Sequence, residues 1–183
     1  MDRRDLLKMI AVATGMAMVG GEVWAADLKS ADAGNAQFTP ADIALLDEIA
    51  ETILPKTSTP GAKDAACGAT MAVMVTDCYT LKNQIIFFEG LKTLKGLAKR
   101  QFGQDFMQLS ASQRHELLSK LDKQVKPVAA ELTPHYFTLL KQLTLLVFFT
   151  SKVGANEVLR YVAVPGRYDG NMLYKKGDRA WAT

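Results

Sequence analysis

The side chains best suited to acid–base, nucleophilic or metal chemistry are few in this 183-residue sequence. It has two histidines, His115 and His135, and two cysteines, Cys67 and Cys78. Neither histidine has a neighbour at metal-ligand spacing, and the cysteines lie eleven residues apart rather than in a Cys-x-x-Cys pair. The spacing therefore predicts neither a metal site nor a nucleophile–base pair.

The elements that carry these four residues predict structural roles for them. Cys67 and Cys78 fall in one helical pattern, three turns and about 16 Å apart, which is too far for a disulfide. Both are predicted to be small buried apolar residues. His115 lies on the polar side of its helix, and His135 is expected to hydrogen-bond at the start of another helix.

Known cofactor-binding and catalytic motifs are missing from the sequence. It contains no Gly-x-Gly-x-x-Gly dinucleotide fingerprint, no Gly-x-Ser-x-Gly elbow and no Cys-x-x-Cys-His haem motif. The hydroxyl-rich segment 54–62 lacks the phosphate-binding Gly-x-x-x-x-Gly-Lys pattern and reads as a rigid helix–helix connection. We expect a non-catalytic chain without a cofactor of its own, although an exported helical enzyme, a cofactor binder or a purely structural bundle remain alternatives.

The first 25 residues have the parts of a secretory signal peptide. A basic start precedes the apolar run from Met9 to Val19, which is too short to span a membrane. Two adjacent arginines make this a twin-arginine signal, a bacterial route for folded cargo. We expect cleavage between Ala25 and Ala26 and a periplasmic location, with retention as an uncleaved tether as the alternative. The predicted export-signal residues are Arg3, Arg4, Leu6, Leu7 and Lys8.

Composition and charge are those of a globular protein. Hydrophobic residues make up 49% of the chain and charged residues 22%, with a formal net charge of +3. Basic residues are scattered between acidic ones without interleaved aromatics, so nucleic-acid binding is not supported. No apolar stretch of membrane length follows the signal.

Apolar periodicity predicts an all-α fold, a compact bundle of about five to six helices with an extended C-terminal tail. The fifth helix is apolar all round and is expected to be the centre of the bundle, buried on all sides. The predicted regions are a signal peptide (1–25), a flexible leader (26–38), the helical bundle (39–161) and the tail (162–183). The predicted helices start near residues 39, 63, 83, 110, 133 and 156.

The tail has no helical period but is rich in aromatic residues and arginine. Such side chains often anchor interfaces, so the tail is expected to wrap its own bundle, to lie on another protein, or both. The residues predicted for the partner interface are Pro165, Gly166, Arg167, Tyr168, Tyr174, Arg179 and Trp181.

Several segments, in this order, resemble the gluconate 2-dehydrogenase subunit 3 family, the small subunits of flavin-dependent sugar dehydrogenases. They are the twin-arginine start, segment 54–62, Gln113-Arg114 with Leu117-Leu118, Phe148 to Ser151, Val164 to Gly170, and Arg179 to Trp181. The chain departs from the family where Asn171 replaces a frequent cysteine and Lys152 an acidic residue. These departures put a tail disulfide or cluster contact in doubt.

The resemblance implies partners and a role. The main partner would be a large subunit of the glucose-methanol-choline oxidoreductase type, which binds FAD and oxidises a sugar or sugar acid. A cytochrome c subunit would carry the electrons onward. The small subunit would help the large one fold and would lend it the signal for export through the twin-arginine translocase.

Overall fold

The structure is a computed structural model that describes residues 38–125, 134–164, 166–167 and 169–182. Five α-helices contain most of these residues. Short 3-10 segments cover Ala62–Ala65 and Phe106–Gln108, and a π-helical segment covers Gly154–Val158. These described residues contain no named strand, which confirms the all-α prediction. The helices are α1 (Pro40–Ile53), α2 (Cys67–Cys78), α3 (Leu81–Phe102), α4 (Ala111–Gln124) and α5 (Tyr136–Thr150).

Helix α1 begins where its capping residues predict. Thr39 accepts a hydrogen bond from the Asp42 backbone N–H, and Asp42 accepts one from the Thr39 backbone N–H, so both form a capping box, with Pro40 in the first helical position. Lys95 of α3 donates to Asp42 at 3.0 Å. Burial favours a higher pKa for Asp42, but the Thr39 and Lys95 hydrogen bonds outweigh it and lower the pKa below its usual value.

Helix α2 begins four residues later than predicted. Ala62–Ala65 forms a 3-10 turn, and Ala66 then adopts the left-handed conformation with φ of +47°. Because a non-glycine residue in that region interrupts a continuous helix, α2 starts only at Cys67.

The short helix predicted to start near residue 156 is a π-helical segment over Gly154–Val158.

Helix α5 is the centre of the bundle, as predicted. It contacts each of the four other α-helices, and one side of it is fully buried from Phe137 to Phe148. The prediction of burial on all sides is wrong, because Leu146 is 50% exposed and Gln142 is also exposed. The four surrounding helices cover the inner faces of α5 and leave this outer strip in solvent.

Close helix contact depends on a small residue in α3. A Cβ atom placed on Gly90 would lie 2.4 Å from the Tyr136 side chain at the start of α5. Gly90 is itself buried, so the Tyr136 ring packs directly on the α3 backbone. Leu91 and Leu94 continue the same α3 face into the core. Glycine therefore sets the spacing between these two helices.

Candidate functional site

The C-terminal residues form a loop that leaves the bundle and returns to it. We define the tail loop as residues 161–180. At its base, the Arg160 N–H donates to the Ala180 carbonyl at 2.7 Å, and the Ala182 N–H donates to the Arg160 carbonyl at 3.1 Å. These two bonds make an isolated bridge between Arg160 and Trp181. Both ends of the loop are thereby held together.

Three side chains reinforce that closure, and we call Arg160, Arg179 and Trp181 the base clamp. The Arg160 guanidinium lies 4.1 Å from the Trp181 ring centroid, a cation–π contact. Arg179 donates to the carbonyls of Asn156 and Glu157 at 3.0 and 2.9 Å, at the end of the π-helical segment. Arg179 and Trp181, both predicted to contact a partner, thus have contacts within their own chain.

Apart from Arg179, the described residues of the tail loop do not pack on the bundle. All of those between Tyr161 and Ala180 are exposed. The exposed fraction reaches 87% for Leu173, 81% for Val164 and 77% for Tyr174. Of the two predicted arrangements, wrapping of the chain's own bundle is therefore not found in the described part of the loop.

The other predicted interface residues lie in the same loop. Gly166 has a φ of +78°, in the region that favours glycine, and Arg167 forms an ion pair with Asp169 at 3.7 Å. Pro165 and Tyr168 lie outside the described residues. Val164, Met172 and Leu173 are exposed in the same loop but were not among the predicted interface residues, because that prediction rested on aromatic residues and arginine. Their apolar character in a non-helical tail was the available signal.

The connection between α1 and α2 is held by a carboxylate from α1. The two oxygens of Glu51 accept hydrogen bonds from the backbone N–H groups of Lys56 and Lys63, each at 2.9 Å. The Ala62 N–H donates to the Leu54 carbonyl at 3.0 Å. A Cβ atom on Gly61 would lie 2.5 Å from the Glu51 carboxylate oxygens, so the turn requires glycine. The predicted rigid turn is confirmed, and it leaves the hydroxyl side chains at 57–59 exposed.

A second carboxylate of α1 joins three parts of the bundle. Glu48 forms ion pairs with Lys63 and with Arg114 of α4. Arg114 also donates to the carbonyls of Phe106 and Met107, at 3.1 and 2.8 Å. The Glu48 side chain is only 18% exposed, so these ion pairs are partly buried between the helices.

The cysteines confirm one prediction and contradict another. Neither cysteine forms a disulfide, as their spacing on α2 requires. Cys67 is buried, and burial together with Asp47 and Glu51 raises the pKa of its thiol to about 11. Cys78 is exposed, so the prediction that both are buried is wrong for it. The last turn of α2 carries it beyond the packed face.

The histidines take the predicted positions. The backbone N–H of Phe137 donates to the His135 ring at 3.2 Å, which makes His135 the N-cap of α5. His115 is exposed and borders a shallow groove that holds about 160 Å³. In the groove, Lys141 pairs with Asp122 at 2.7 Å. This volume is well below the roughly 300 Å³ at which small-molecule sites begin, so the groove does not fit a flavin.

Two further observations concern the part of the chain that the structure describes. No group of three or more His, Cys, Asp or Glu side chains in it could hold a metal ion. None of its helices has both the length and the apolar character needed to span a membrane. The predicted export-signal residues Arg3, Arg4, Leu6, Leu7 and Lys8 and the predicted cleavage residues Ala25 and Ala26 lie outside it.

Comparison with known proteins identifies the family. The family described as gluconate 2-dehydrogenase subunit 3 matches residues 40–166, which span the five α-helices and the beginning of the tail loop. No curated protein and no solved structure gave a match. Because the matched residues make up more than half of the sequence, the chain belongs to the gluconate 2-dehydrogenase subunit 3 family.

Proposed function

We propose that this chain is the non-catalytic small subunit of an exported FAD-dependent sugar or sugar-acid dehydrogenase. The family is that of an accessory subunit, and gluconate 2-dehydrogenase or a glucoside 3-dehydrogenase is the kind of complex it fits. The catalytic subunit is of the glucose-methanol-choline type and holds the FAD. A cytochrome c subunit accepts the electrons.

The observation that carries this proposal is the exposure of the tail loop. Leu173, Val164 and Tyr174 are each more than three-quarters exposed, although the base clamp holds the loop that carries them. Contiguous exposed apolar side chains on a protein surface mark interaction sites. Because the chain belongs to a family of subunits, we expect another chain to cover these side chains.

The proposed role in export rests on the N-terminal sequence. Arg3 and Arg4 precede a short apolar run, the arrangement of a twin-arginine signal for proteins that fold before they cross the membrane. A small subunit that carries this signal and binds the catalytic subunit exports both to the periplasm. Binding before export also assists the folding of the catalytic subunit, because its apolar contact surface is covered.

Co-expression with the proposed flavoprotein subunit tests the proposal. The double substitution Arg3→Lys and Arg4→Lys should leave both subunits in the cytoplasmic fraction, whereas the control Asp2→Asn should leave both in the periplasm. Immunoblots of the two fractions provide the measurement. Unchanged export of the flavoprotein with the lysine variant, or without this chain altogether, would contradict joint transport.

An absorbance spectrum separates this role from that of a free-standing cofactor protein. The chain purified alone should show protein absorption only, from its tryptophan and tyrosine side chains. The purified complex should add the flavin bands, which should remain with the large subunit after the subunits are separated. A flavin or haem spectrum from the small chain alone would contradict the non-catalytic assignment.

A further inference from the structure

We infer that the tail loop binds the catalytic subunit through a contact segment, Met172–Tyr174, which the base clamp holds in position. This segment enters an apolar groove with an acidic rim on the catalytic subunit. This inference rests on the proposed function, because it requires that the two subunits form a complex. It goes further in assigning different tasks to parts of the loop and in naming the chemistry of the partner's surface.

The contact segment is held between two hydrogen-bonded turns. On one side, Asp169 accepts hydrogen bonds from the Asn171 N–H through its side chain at 3.1 Å and from the Met172 N–H through its carbonyl at 3.4 Å. On the other side, the Lys175 N–H donates to the Asp178 carboxylate at 2.8 Å, and the Asp178 N–H donates to the Lys175 carbonyl at 3.0 Å. A segment ordered before binding loses less conformational entropy when it binds.

All three side chains of the contact segment face solvent. Met172 is 50% exposed, Leu173 87% and Tyr174 77%. A segment lying on its own bundle would bury part of these side chains, and here each of the three is at least half exposed. A groove that encloses the segment from both sides suits this exposure better than a flat surface does.

The charge of the loop and its base indicates the character of the groove's rim. Residues 160–182 contain five basic and two acidic side chains, a net charge of +3 that equals the formal net charge of the whole chain. Lys175 and Lys176 directly follow the contact segment. Electrostatic complementarity between partners then favours acidic residues around the groove.

The base clamp acts at a distance from the partner. Arg160 and Arg179 use their guanidinium groups on Trp181 and on two backbone carbonyls of the same chain. They are positioning residues, because they set the direction in which the loop leaves the bundle. Apart from Arg179, the described residues of the loop are exposed and do not pack on the bundle, so moving the loop by a substitution at Trp181 should leave the melting temperature of the bundle unchanged.

Affinity measurements between the full chain and the flavoprotein subunit test the contact segment. Leu173→Ala should raise the dissociation constant at least tenfold, and Leu173→Ala with Tyr174→Ala about a hundredfold, in the range of interface hot spots. The matched control is Leu81→Ala, which removes a 63% exposed leucine from the start of α3 and should change the constant less than threefold. An equal loss with both leucine variants would contradict a specific role for the loop.

Two further variants test the clamp and the rim. Trp181→Ala should weaken binding about tenfold at an unchanged melting temperature, and Trp181→Phe should restore most of the affinity because a ring again faces Arg160. Replacing Lys175 and Lys176 by glutamine should flatten the salt dependence of the affinity. A Trp181→Ala variant that binds like wild type, or an unchanged salt dependence, would overturn the corresponding part.

The outcomes distinguish this inference from the function on which it rests. If the wild-type chain does not bind the flavoprotein subunit, the proposed function is wrong and the inference falls with it. If the wild-type chain binds and the Leu173→Ala, Tyr174→Ala variant binds equally well, the subunit role stands and the inference is wrong. Binding lost only in the loop variants supports both.

Discussion

Replacing Arg114 by methionine should destabilise the bundle strongly for a single substitution near the surface. The side chain is 16% exposed and pairs with Glu48, which is 18% exposed. It also donates to the carbonyls of Phe106 and Met107 and lies 5.7 Å from the Phe106 ring centroid. Methionine retains the apolar stem but cannot replace any of these hydrogen bonds.

The magnitude follows from the partners that Arg114 leaves behind. The carbonyl of the buried Phe106 keeps a weaker hydrogen bond from the Leu109 N–H at 3.3 Å, so the loss of the Arg114 donor costs about 1 kcal/mol. Met107 is exposed, so water replaces its lost hydrogen bond at little cost. Glu48 keeps its ion pair with Lys63, which limits the electrostatic loss to about 1 kcal/mol. The free energy of unfolding should therefore fall by about 2 kcal/mol.

Urea denaturation of the full chain, followed by circular dichroism at 222 nm, measures this change. Lys120→Met is the matched control, because it makes the same charge change on the same helix at an exposed ion pair with Glu116. It should cost less than about 0.5 kcal/mol. Arg114→Lys retains the charge without the planar fork of donors and should give an intermediate loss. If Arg114→Met unfolds within 0.5 kcal/mol of the control, the reasoning about the partly buried hydrogen bond and ion pair of Arg114 is refuted.

Three further predictions concern the turn between α1 and α2, the thiols and the pH dependence of stability. Gly61→Ala should lower the free energy of unfolding by about 1–3 kcal/mol, because the added Cβ would lie 2.5 Å from the Glu51 carboxylate. Gly96→Ala is the control: its Cβ would meet nothing within 4 Å, so the free energy of unfolding should stay unchanged or rise. Equal urea midpoints for the two variants would contradict this prediction. At pH 8 a thiol reagent should modify Cys78 rapidly and Cys67 only after unfolding, since burial raises the Cys67 pKa to about 11; mass spectrometry of the labelled peptides would show the reverse order if the burial were wrong. The lowered pKa of Asp42 means that its stabilising contribution is fully present above pH 3.8 and is lost as the pH falls through the folded-state pKa. Asp42→Asn should therefore cost about 1 kcal/mol at pH 7 and progressively less as the pH falls below 3.8; a difference that does not change with pH would contradict this.

Local chemistry explains why several helix starts were predictable. Thr39 with Asp42 and Ser110 with Gln113 form capping boxes whose members lie three residues apart, so a short window of sequence contains the whole interaction. The N-cap role of His135 is also local, since its ring accepts from the N–H two residues later. The predicted start of the second helix was wrong because an alanine gives no sign in the sequence that it adopts the left-handed conformation, as Ala66 does.

Non-local packing explains the other errors. Whether Cys78 or Leu146 is buried depends on which helices cover that side of α2 or α5, and apolar periodicity cannot show the extent of that cover. The partly buried ion pair of Glu48 could not be predicted either, because its partner Arg114 lies 66 residues away. Polar residues on a helix face carry no information about partners so distant in the chain.

The tail shows which features the sequence alone predicts and which depend on the tertiary structure. By itself the sequence determined the helical class, the central fifth helix, the lack of a disulfide between the cysteines and the family, because these depend on periodicity, on distances along a helix and on the order of short motifs. Only the tertiary structure decided that Arg160 and Trp181, twenty-one residues apart, close the loop and that Met172–Tyr174 remains exposed. A contact across such a distance is set by the path of the whole chain, which no local pattern records.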